Sequence, residues 1–167
     1  MIPIVSIVGK SNVGKTTLLE KVVRELTARG YRIATVKHDV HGFDIDREGK
    51  DSWRHKQAGA AVTVLSSPRK LAIVADTDHD HTLEEIRDRF IGKADLILSE
   101  GYKREKHPKI EVHRREHAAD LLCTADENLV AIAGNPKEPP DNVPVFDLNS
   151  PQLLCDFIEE RFLKKSV

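Results

Sequence analysis

The sequence has few of the residues and runs that mark secreted or membrane proteins. Among its 167 residues there are only two cysteines, one methionine and one tryptophan, and aromatic residues make up 5%. Because Cys123 and Cys155 lack CxxC spacing and cannot form a disulfide framework of two or more bridges, they favour a reduced, cytoplasmic protein. The longest apolar run, about residues 58–65, is far shorter than the roughly 18 residues that a membrane span needs.

Neither sign of charge dominates the chain. The 26 lysines and arginines nearly balance the 27 acidic residues, which leaves a net charge of −1. A protein held on nucleic acid or on a membrane surface by charge would carry a basic excess, so neither partner is expected. Apolar residues at 40% exclude a disordered chain, and the length suits a single domain over residues 1–167.

Short apolar runs rich in valine and isoleucine recur along the chain. They lie at residues 3–8, 31–36, 61–65, 71–74, 95–98, 129–133 and 143–146. Most of them lack polar alternation, which is typical of strands covered on both faces. The first run has no basic residues before it, and we therefore predict a strand there rather than a signal peptide.

Amphipathic helical patterns separate several of these runs. The first pattern ends at Gly30, the second begins at Thr82 with Glu85 completing a capping box, and the third begins at Ser150 and Pro151. Alternating strands and helices predict an α/β fold, with a mostly parallel, doubly wound sheet and helices on both faces. In such a sheet, ligands bind beyond the carboxyl ends of the strands.

One such position carries the phosphate-binding pattern GxxxxGK[ST], between the first strand and the first helix. The motif consists of Gly9, Lys10, Ser11, Asn12, Val13, Gly14, Lys15 and Thr16. Its glycines let backbone N–H groups point inward, Lys15 neutralises β- and γ-phosphate charge, and the Thr16 hydroxyl ligates Mg²⁺. These residues predict a P-loop NTPase fold that binds a nucleoside triphosphate.

Lys10 occupies the second motif position and has two interpretations. One subgroup of P-loop proteins carries a lysine there that reaches the nucleotide of its dimer neighbour. The alternative is a solvated lysine at the tip of the loop.

Carboxylates follow two of the predicted strands, where a Mg²⁺ ligand is required. Glu100 ends a buried strand, so we predict it on the Mg²⁺ side, and Gly101 next to it permits close approach to the γ-phosphate. Asp39 follows the second strand and either holds Mg²⁺, orients the attacking water or lies in a solvated turn.

Two basic segments complete the set of candidate residues. Lys50, Arg54 and His55 either bind a second phosphate-bearing ligand, respond to the γ-phosphate or form a charged helix face. Lys103 and Arg104 follow Gly101 in the chain and are predicted to lie near the phosphate site.

Residues 113–117 spell HxxEH, the inverted zinc-protease motif. A strand pattern at residues 110–112 leads directly into this motif, and only 50 residues follow it, too few for the rest of such a site. We predict no zinc chemistry there, and we interpret the acidic and histidine residues 78–81 as a solvated turn.

Taken in chain order, several further segments resemble the MobB family, the molybdopterin-guanine dinucleotide biosynthesis protein B. The segments are VKHD at 36–39, GKDSWRH at 49–55, AGA at 58–60, LSEGYK at 98–103 and PKIE at 108–111. The phosphate loop alone also resembles that of Era-like GTPases, but the DxxG and NKxD motifs of those proteins are not in place. The resemblance to MobB spans roughly residues 1–165.

This resemblance implies a function and a set of site residues. It implies a homodimeric GTP-binding protein with weak GTPase activity, which assists a MobA-like guanylyltransferase in attaching GMP to molybdopterin. It extends the nucleotide contacts from Gly9 to Thr17 and places Asp39 and Glu100 by the metal. Lys15, Asp39 and Glu100 are then the expected catalytic residues, with GTP and Mg²⁺ as cofactors.

Two other functions stay open at this point. One is a nucleotide-bound adaptor that holds molybdopterin or a partner enzyme without needing hydrolysis. The other, ranked lower, is a small-molecule kinase, which needs arginines that close over the phosphates. We predict that the candidate arginines lie outside the strand-end loops: Arg87, Arg89, Arg114 and Arg115. Slow hydrolysis by the protein alone is therefore expected.

Overall fold

A computed structural model describes residues 1–40, 42–117 and 120–164 of the chain. Their helices and strands are β1 (Ile4–Val8), α1 (Lys15–Ala28), β2 (Ile33–Lys37), α2 (Asp51–Gln57), β3 (Val62–Ser66), β4 (Leu71–Ala75), α3 (Leu83–Phe90), β5 (Leu96–Glu100), β6 (Lys109–His113), β7 (Leu129–Gly134), β8 (Val145–Phe146) and α4 (Pro151–Ile158). The chain divides into two compact units, Met1–His38 with Thr82–Val167, and Asp39–His81. The single-domain organisation expected from the length stays a prediction.

The first unit contains a six-stranded sheet in which every neighbouring pair is parallel. The strand order is β2-β5-β1-β6-β7-β8. Ile7 of β1 pairs with Glu100 on one side and with Ile110 on the other, so β1 lies between β5 and β6. The carboxyl ends of these three strands therefore meet at one edge, where the loop after β1 begins.

Apolar side chains of β1 alternate between the two faces of the sheet. Val5 and Ile7 pack into a core formed with α1 and α4, whereas Ile4 packs with Leu83 of α3 on the opposite face. All five residues of β1 are buried, because helices or loops cover both faces. The structure confirms the predicted doubly wound α/β fold with helices on both faces.

The predicted helix starts are confirmed with one difference. Thr82 Oγ1 accepts a hydrogen bond from the Glu85 amide at 3.2 Å, and the Glu85 carboxylate accepts one from the Thr82 amide at 3.0 Å. Ser150 and Pro151 begin α4 as predicted, but the Ser150 side chain makes no capping hydrogen bond. A π-helical turn, Glu159–Leu163, then continues α4.

The second unit contains α2 and an antiparallel hairpin of β3 and β4. Lys56 Nζ lies 2.6 Å from Asp76 Oδ2 and joins α2 to the residue that follows β4. Both runs are strands as predicted, but the expectation that both faces are covered is wrong, since Val62 is 55% and Ile73 is 52% exposed. An apolar run identifies a strand without identifying what covers it, and here the two strands pair with each other in a two-stranded sheet.

No helix in the described part of the chain is both long enough and apolar enough to cross a membrane.

An ion pair at the start of β5 predicts a pH-dependent stability. The Arg32 guanidinium donates to both Asp95 oxygens, at 2.8 and 3.2 Å, and these hydrogen bonds lower the pKa of Asp95 to about 2. Since this pKa lies below the unfolded value of about 3.9, the stabilisation is full above that value and is lost as the pH falls towards 2. We expect Asp95→Asn to lower the melting temperature by about 1–3 °C at pH 7, because exposed ion pairs stabilise little, and to have a much smaller effect near pH 2.

Thermal unfolding from pH 7 to pH 2 measures this effect, with the exposed Asp141→Asn as the matched control. A difference between wild type and Asp95→Asn that persisted unchanged at pH 2 would show that the pair does not stabilise the fold through its charge.

Candidate functional site

The loop between β1 and α1 depends on glycine at two positions. A Cβ on Gly9 would lie 2.5 Å from the Val112 carbonyl oxygen, so only glycine fits between β1 and β6. Gly14 immediately precedes α1 with φ +97°, in the left-handed region that side chains disfavour. Asn12 also has a positive φ, +62°, and lies at the tip of the loop. The loop consequently curls back onto the start of α1.

The first turn of α1 leaves its amides available to a ligand. Gly14 provides no side chain to cap the helix, and the first turn contains no acidic residue. Uncapped N–H groups at a helix N-terminus, together with the helix dipole, form an anion-binding site. The structure therefore keeps these donors unoccupied by the protein's own acidic groups.

Lys15 lies at the centre of a positively charged region. Its Nζ donates to the Lys10 carbonyl oxygen at 2.7 Å, which holds the side chain across the loop. Partial burial lowers the pKa of Lys15; Glu100 opposes this shift, whereas the charges of Lys103 and Lys37 add to it. A polyanion bound among these three lysines would relieve their mutual repulsion.

Thr16 and Glu100 form the oxygen-rich side of the site. The Thr16 hydroxyl lies 2.9 and 3.0 Å from the two carboxylate oxygens of Glu100 and donates to this group. Glu100 is the last residue of β5 and is only 9% exposed. A hydroxyl next to a carboxylate supplies the hard oxygen ligands that Mg²⁺ prefers, so this pair fits that ion.

The predicted phosphate-binding residues surround one cavity of about 440 Å³. Its lining consists of Ser11, Asn12, Gly14, Lys15, Thr16, Thr17 and Glu100. Gly9 and Val13 are buried and are not among the lining residues. The Lys10 carbonyl oxygen accepts the hydrogen bond from Lys15 Nζ. Five motif residues, the adjacent Thr17 and the strand-end carboxylate are thus brought together.

Gly101 and Tyr102 extend this edge of the sheet towards β2. The Gly101 amide donates to the Ile7 carbonyl oxygen at 3.2 Å, which joins the turn after β5 to β1. The His38 amide donates to the Glu100 carbonyl oxygen at 3.0 Å, and the Tyr102 ring stacks on His38 with centroids 4.6 Å apart. Contact of Gly101 with a γ-phosphate stays a prediction.

Several predicted residues belong to the second unit or are not among the residues that line the phosphate cavity. Asp39 is exposed and begins the second unit, so its metal role stays a prediction. Lys50 precedes α2 in that unit, and Arg54 and His55 occupy exposed positions on the helix. Arg104 does not line the phosphate cavity but lines another cavity, of about 560 Å³.

Arg114 contacts the phosphate loop, a position that the sequence did not predict. The prediction that Arg114 and Arg115 lie outside the strand-end loops is wrong, because β6 is parallel to β1 and ends at His113. Arg114 Nε donates to the carbonyl oxygen of Val13 at 3.0 Å, within the phosphate loop. The apolar pattern at residues 110–112 predicts a strand, and this pattern is the sequence signal that could have placed Arg114 in a strand-end loop.

The residues of the HxxEH motif do not share a helix. His113 is the last residue of β6 and is 2% exposed, whereas His117 lies in an exposed turn whose amide donates to the Arg114 carbonyl oxygen. A zincin-like pair needs both histidines on one helical face, so this local geometry does not supply it.

Comparisons with known proteins point to one family. The sequence model of the family described as "Molybdopterin guanine dinucleotide synthesis protein B", MobB, matches residues 4–135. The "Molybdopterin-guanine dinucleotide biosynthesis adapter protein" of Haemophilus influenzae is 40% identical over 159 residues, which cover 95% of this chain and 88% of the relative. The protein of the same name from Escherichia coli is 36% identical and covers 99% of this chain and 97% of its own length.

Solved structures give the same result for the fold. The crystal structure of Bacillus subtilis MobB superposes with a TM-score of 0.76 at 28% identity, covering 99% of this chain and all of that one. A second structure, described as molybdopterin-guanine biosynthesis protein B, has a TM-score of 0.75 at 28% identity and covers 96% of this chain and 99% of its own. The likeness extends over both described units.

Proposed function

Because this chain belongs to the MobB family, we propose that it is a GTP-binding accessory protein of molybdopterin-guanine dinucleotide biosynthesis that hydrolyses GTP slowly. The observation that carries this proposal is the cavity in which uncapped amides of α1, the Lys15 ammonium and the Thr16–Glu100 pair converge. The names of the relatives supply the pathway, and the preference for GTP over ATP rests on the family resemblance.

The charges around the cavity support a triphosphate ligand. Lys15 interacts electrostatically with Lys37 and with Lys103, and Glu100 is the only acidic residue in the lining of the cavity. Amide donors fix the orientation of phosphate oxygens, while the ammonium group acts as a point charge between phosphates. Thr16 and Glu100 would hold Mg²⁺, which when bound neutralises charge on the β- and γ-phosphate oxygens.

The same cavity supports slow rather than rapid hydrolysis. Rapid P-loop NTPases add a cationic group that stabilises the transition state and a residue that positions the attacking water. No arginine is among the residues that line the cavity, and Arg114 donates instead to the loop backbone. The cavity therefore has the groups needed to bind a triphosphate but lacks an arginine that would speed its hydrolysis.

A second candidate function is an adaptor in which the bound nucleotide controls association with another protein. The relatives from Haemophilus influenzae and Escherichia coli are named adapter proteins, which favours this candidate. In this case the chain would hold molybdopterin or a MobA-like guanylyltransferase, and hydrolysis would be dispensable. The two candidates share the nucleotide site and differ only in the role of the γ-phosphate bond.

We further propose a homodimer acting in the cytoplasm. The exposed apolar side chains of β3 and β4 support an interface, because contiguous exposed apolar surface usually marks an interaction site. Both cysteines are free and buried, and burial raises the pKa of Cys123 to about 11, which suits a reducing compartment.

Competition binding followed by single-turnover hydrolysis tests the proposed function. We expect GTP to displace a fluorescent guanine nucleotide from the purified protein at a concentration at least about tenfold lower than ATP does, a difference of 1.4 kcal/mol. Single-turnover phosphate release should be slow for the protein alone, on the order of 10⁻⁴ to 10⁻² s⁻¹. Equal displacement by both nucleotides would contradict the guanine preference.

Addition of a molybdopterin guanylyltransferase separates the two candidates. Faster phosphate release on addition of this enzyme supports the GTPase. Association that needs bound GTP but is the same with a non-hydrolysable analogue supports the adaptor. If no triphosphate binds at all, both candidates are wrong.

A further inference from the structure

Arg114 contacts the phosphate loop at Val13 and Gly14. Its Nε donates to the Val13 carbonyl oxygen at 3.0 Å, and its Nε and Nη2 lie 3.6 and 3.7 Å from the position that a Cβ on Gly14 would take. Gly14 lines the phosphate cavity, whereas Arg114 does not. The guanidinium therefore contacts the Val13–Gly14 segment without being one of the residues that line the cavity.

The Val13 carbonyl and the Gly14 amide belong to one peptide group. Because this group is planar and trans, its C=O and N–H bonds point in opposite directions. A hydrogen bond that holds the carbonyl towards Arg114 consequently directs the Gly14 N–H away from Arg114, and Gly14 is one of the residues that line the cavity. A charged donor on the carbonyl also polarises the peptide and makes its N–H a stronger donor.

This peptide needs an external partner to keep its orientation. Gly14 has φ +97°, and glycine adopts positive and negative φ with similar ease, so rotation of the peptide meets little steric resistance at that residue. The Val13 side chain is 1% exposed, so its packing fixes the position of Val13 but not the orientation of the peptide group between Val13 and Gly14. Within residues 1–40, 42–117 and 120–164, the hydrogen bond from Arg114 is the one that the Val13 carbonyl oxygen accepts from a side chain.

We propose that Arg114 is a positioning residue of the phosphate site: it holds the Val13 carbonyl and thereby aims the Gly14 amide at a bound phosphate. This inference rests on the proposed nucleotide binding and adds to it a residue outside the phosphate-loop motif. Arg114 follows β6, which pairs directly with β1, so the strand that neighbours the loop also supplies the group that orients it.

Arg114→Met is the informative substitution, because it keeps an unbranched apolar side chain and removes the donors and the charge. We expect the dissociation constant for GTP to rise by about tenfold to a hundredfold, the effect of losing one hydrogen bond from a charged donor. Arg114→Lys, which restores the charge and one possible donor, should recover part of this loss. Arg115→Met is the matched control, since Arg115 is the exposed neighbour and the change in charge is identical.

Two further measurements separate positioning from general damage to the fold. The gain in GTP affinity on adding Mg²⁺ should be the same in Arg114→Met as in wild type, because Thr16 and Glu100 are untouched. In the protein without nucleotide, the Gly14 amide resonance should shift in Arg114→Met and stay in place in Arg115→Met.

The outcomes distinguish this inference from the function on which it rests. Failure of the wild-type protein to bind any triphosphate would overturn both. Binding by wild type with unchanged affinity in Arg114→Met, or equal losses in Arg114→Met and Arg115→Met, would overturn the role of Arg114 and leave the proposed function standing. If Arg114→Lys left the Gly14 amide resonance unshifted but recovered no affinity for GTP, the orientation of this peptide would not set the affinity. That result would likewise overturn the role of Arg114.

Discussion

Replacing Lys15 with methionine is expected to weaken GTP binding by about 30-fold or more. Removal of one member of a hydrogen-bonded charge pair at a desolvated site costs about 2–5 kcal/mol. Here the lost group is the ammonium that lies across the loop, fixed by its hydrogen bond to the Lys10 carbonyl oxygen at 2.7 Å. Methionine preserves the length of the side chain, so the loop keeps its packing while the charge disappears.

Calorimetric titration with GTP measures this loss, and Lys93→Met, at an exposed position, is the matched control. Burial lowers the pKa of Lys15 below its ordinary value of 10.5, and only the charged form attracts phosphate. Wild-type affinity should therefore decline as the pH rises through this lowered pKa, and the decline attributable to Lys15 should be absent from Lys15→Met. Undiminished binding by Lys15→Met at neutral pH would contradict the assignment of the site.

Replacing Glu100 with glutamine is expected to affect Mg²⁺ dependence and hydrolysis rather than binding itself. The glutamine side chain keeps an oxygen that can accept the Thr16 hydroxyl hydrogen, so the contact at 2.9 Å can persist while the negative charge is lost. Without Mg²⁺, the affinity for GTP should be unchanged or higher, since a charge that repels phosphate is gone. With Mg²⁺, single-turnover hydrolysis should fall about a hundredfold or more, because a metal ion supplies several kcal/mol of charge stabilisation.

The opposite directions of these two effects make the test specific. A general loss of structure would reduce both binding and hydrolysis, and Glu127→Gln, at an exposed position, controls for the change in charge. If Glu100→Gln hydrolysed GTP at the wild-type rate with the same Mg²⁺ requirement, Glu100 would not be the metal-side residue.

The phosphate site was predictable because its chemistry is local in sequence. The glycines, Lys15 and Thr16 lie within one segment of eight residues, and the flanking strand and helix are themselves visible as apolar runs and stripes. Glu100 was also found from sequence, since a buried strand that ends in an acidic residue places that residue at the edge where ligands bind.

The position of Arg114 and the exposure of the β3–β4 hairpin could not be predicted from local sequence patterns. The role of Arg114 depends on β6 pairing with β1, and strand order is set by contacts between distant segments rather than by the residues around Arg114. The exposure of the β3–β4 hairpin was missed for a related reason, since Val62 and Ile73 are apolar like core residues but are 55% and 52% exposed. Local patterns identify elements, whereas pairing and coverage are properties of the assembled fold.

The position of β1 in the sheet has a consequence for synthesis of the protein. β1 ends at Val8, but its two neighbours begin only at Leu96 and Lys109, so a nascent chain carries an unpaired apolar strand until most of it has left the ribosome. At about 5–20 residues per second this interval lasts on the order of ten seconds, during which the strand is open to aggregation. Nucleotide is not expected to protect the nascent chain during this time, because Glu100 and Arg114, which complete the proposed site, are synthesised long after the phosphate loop.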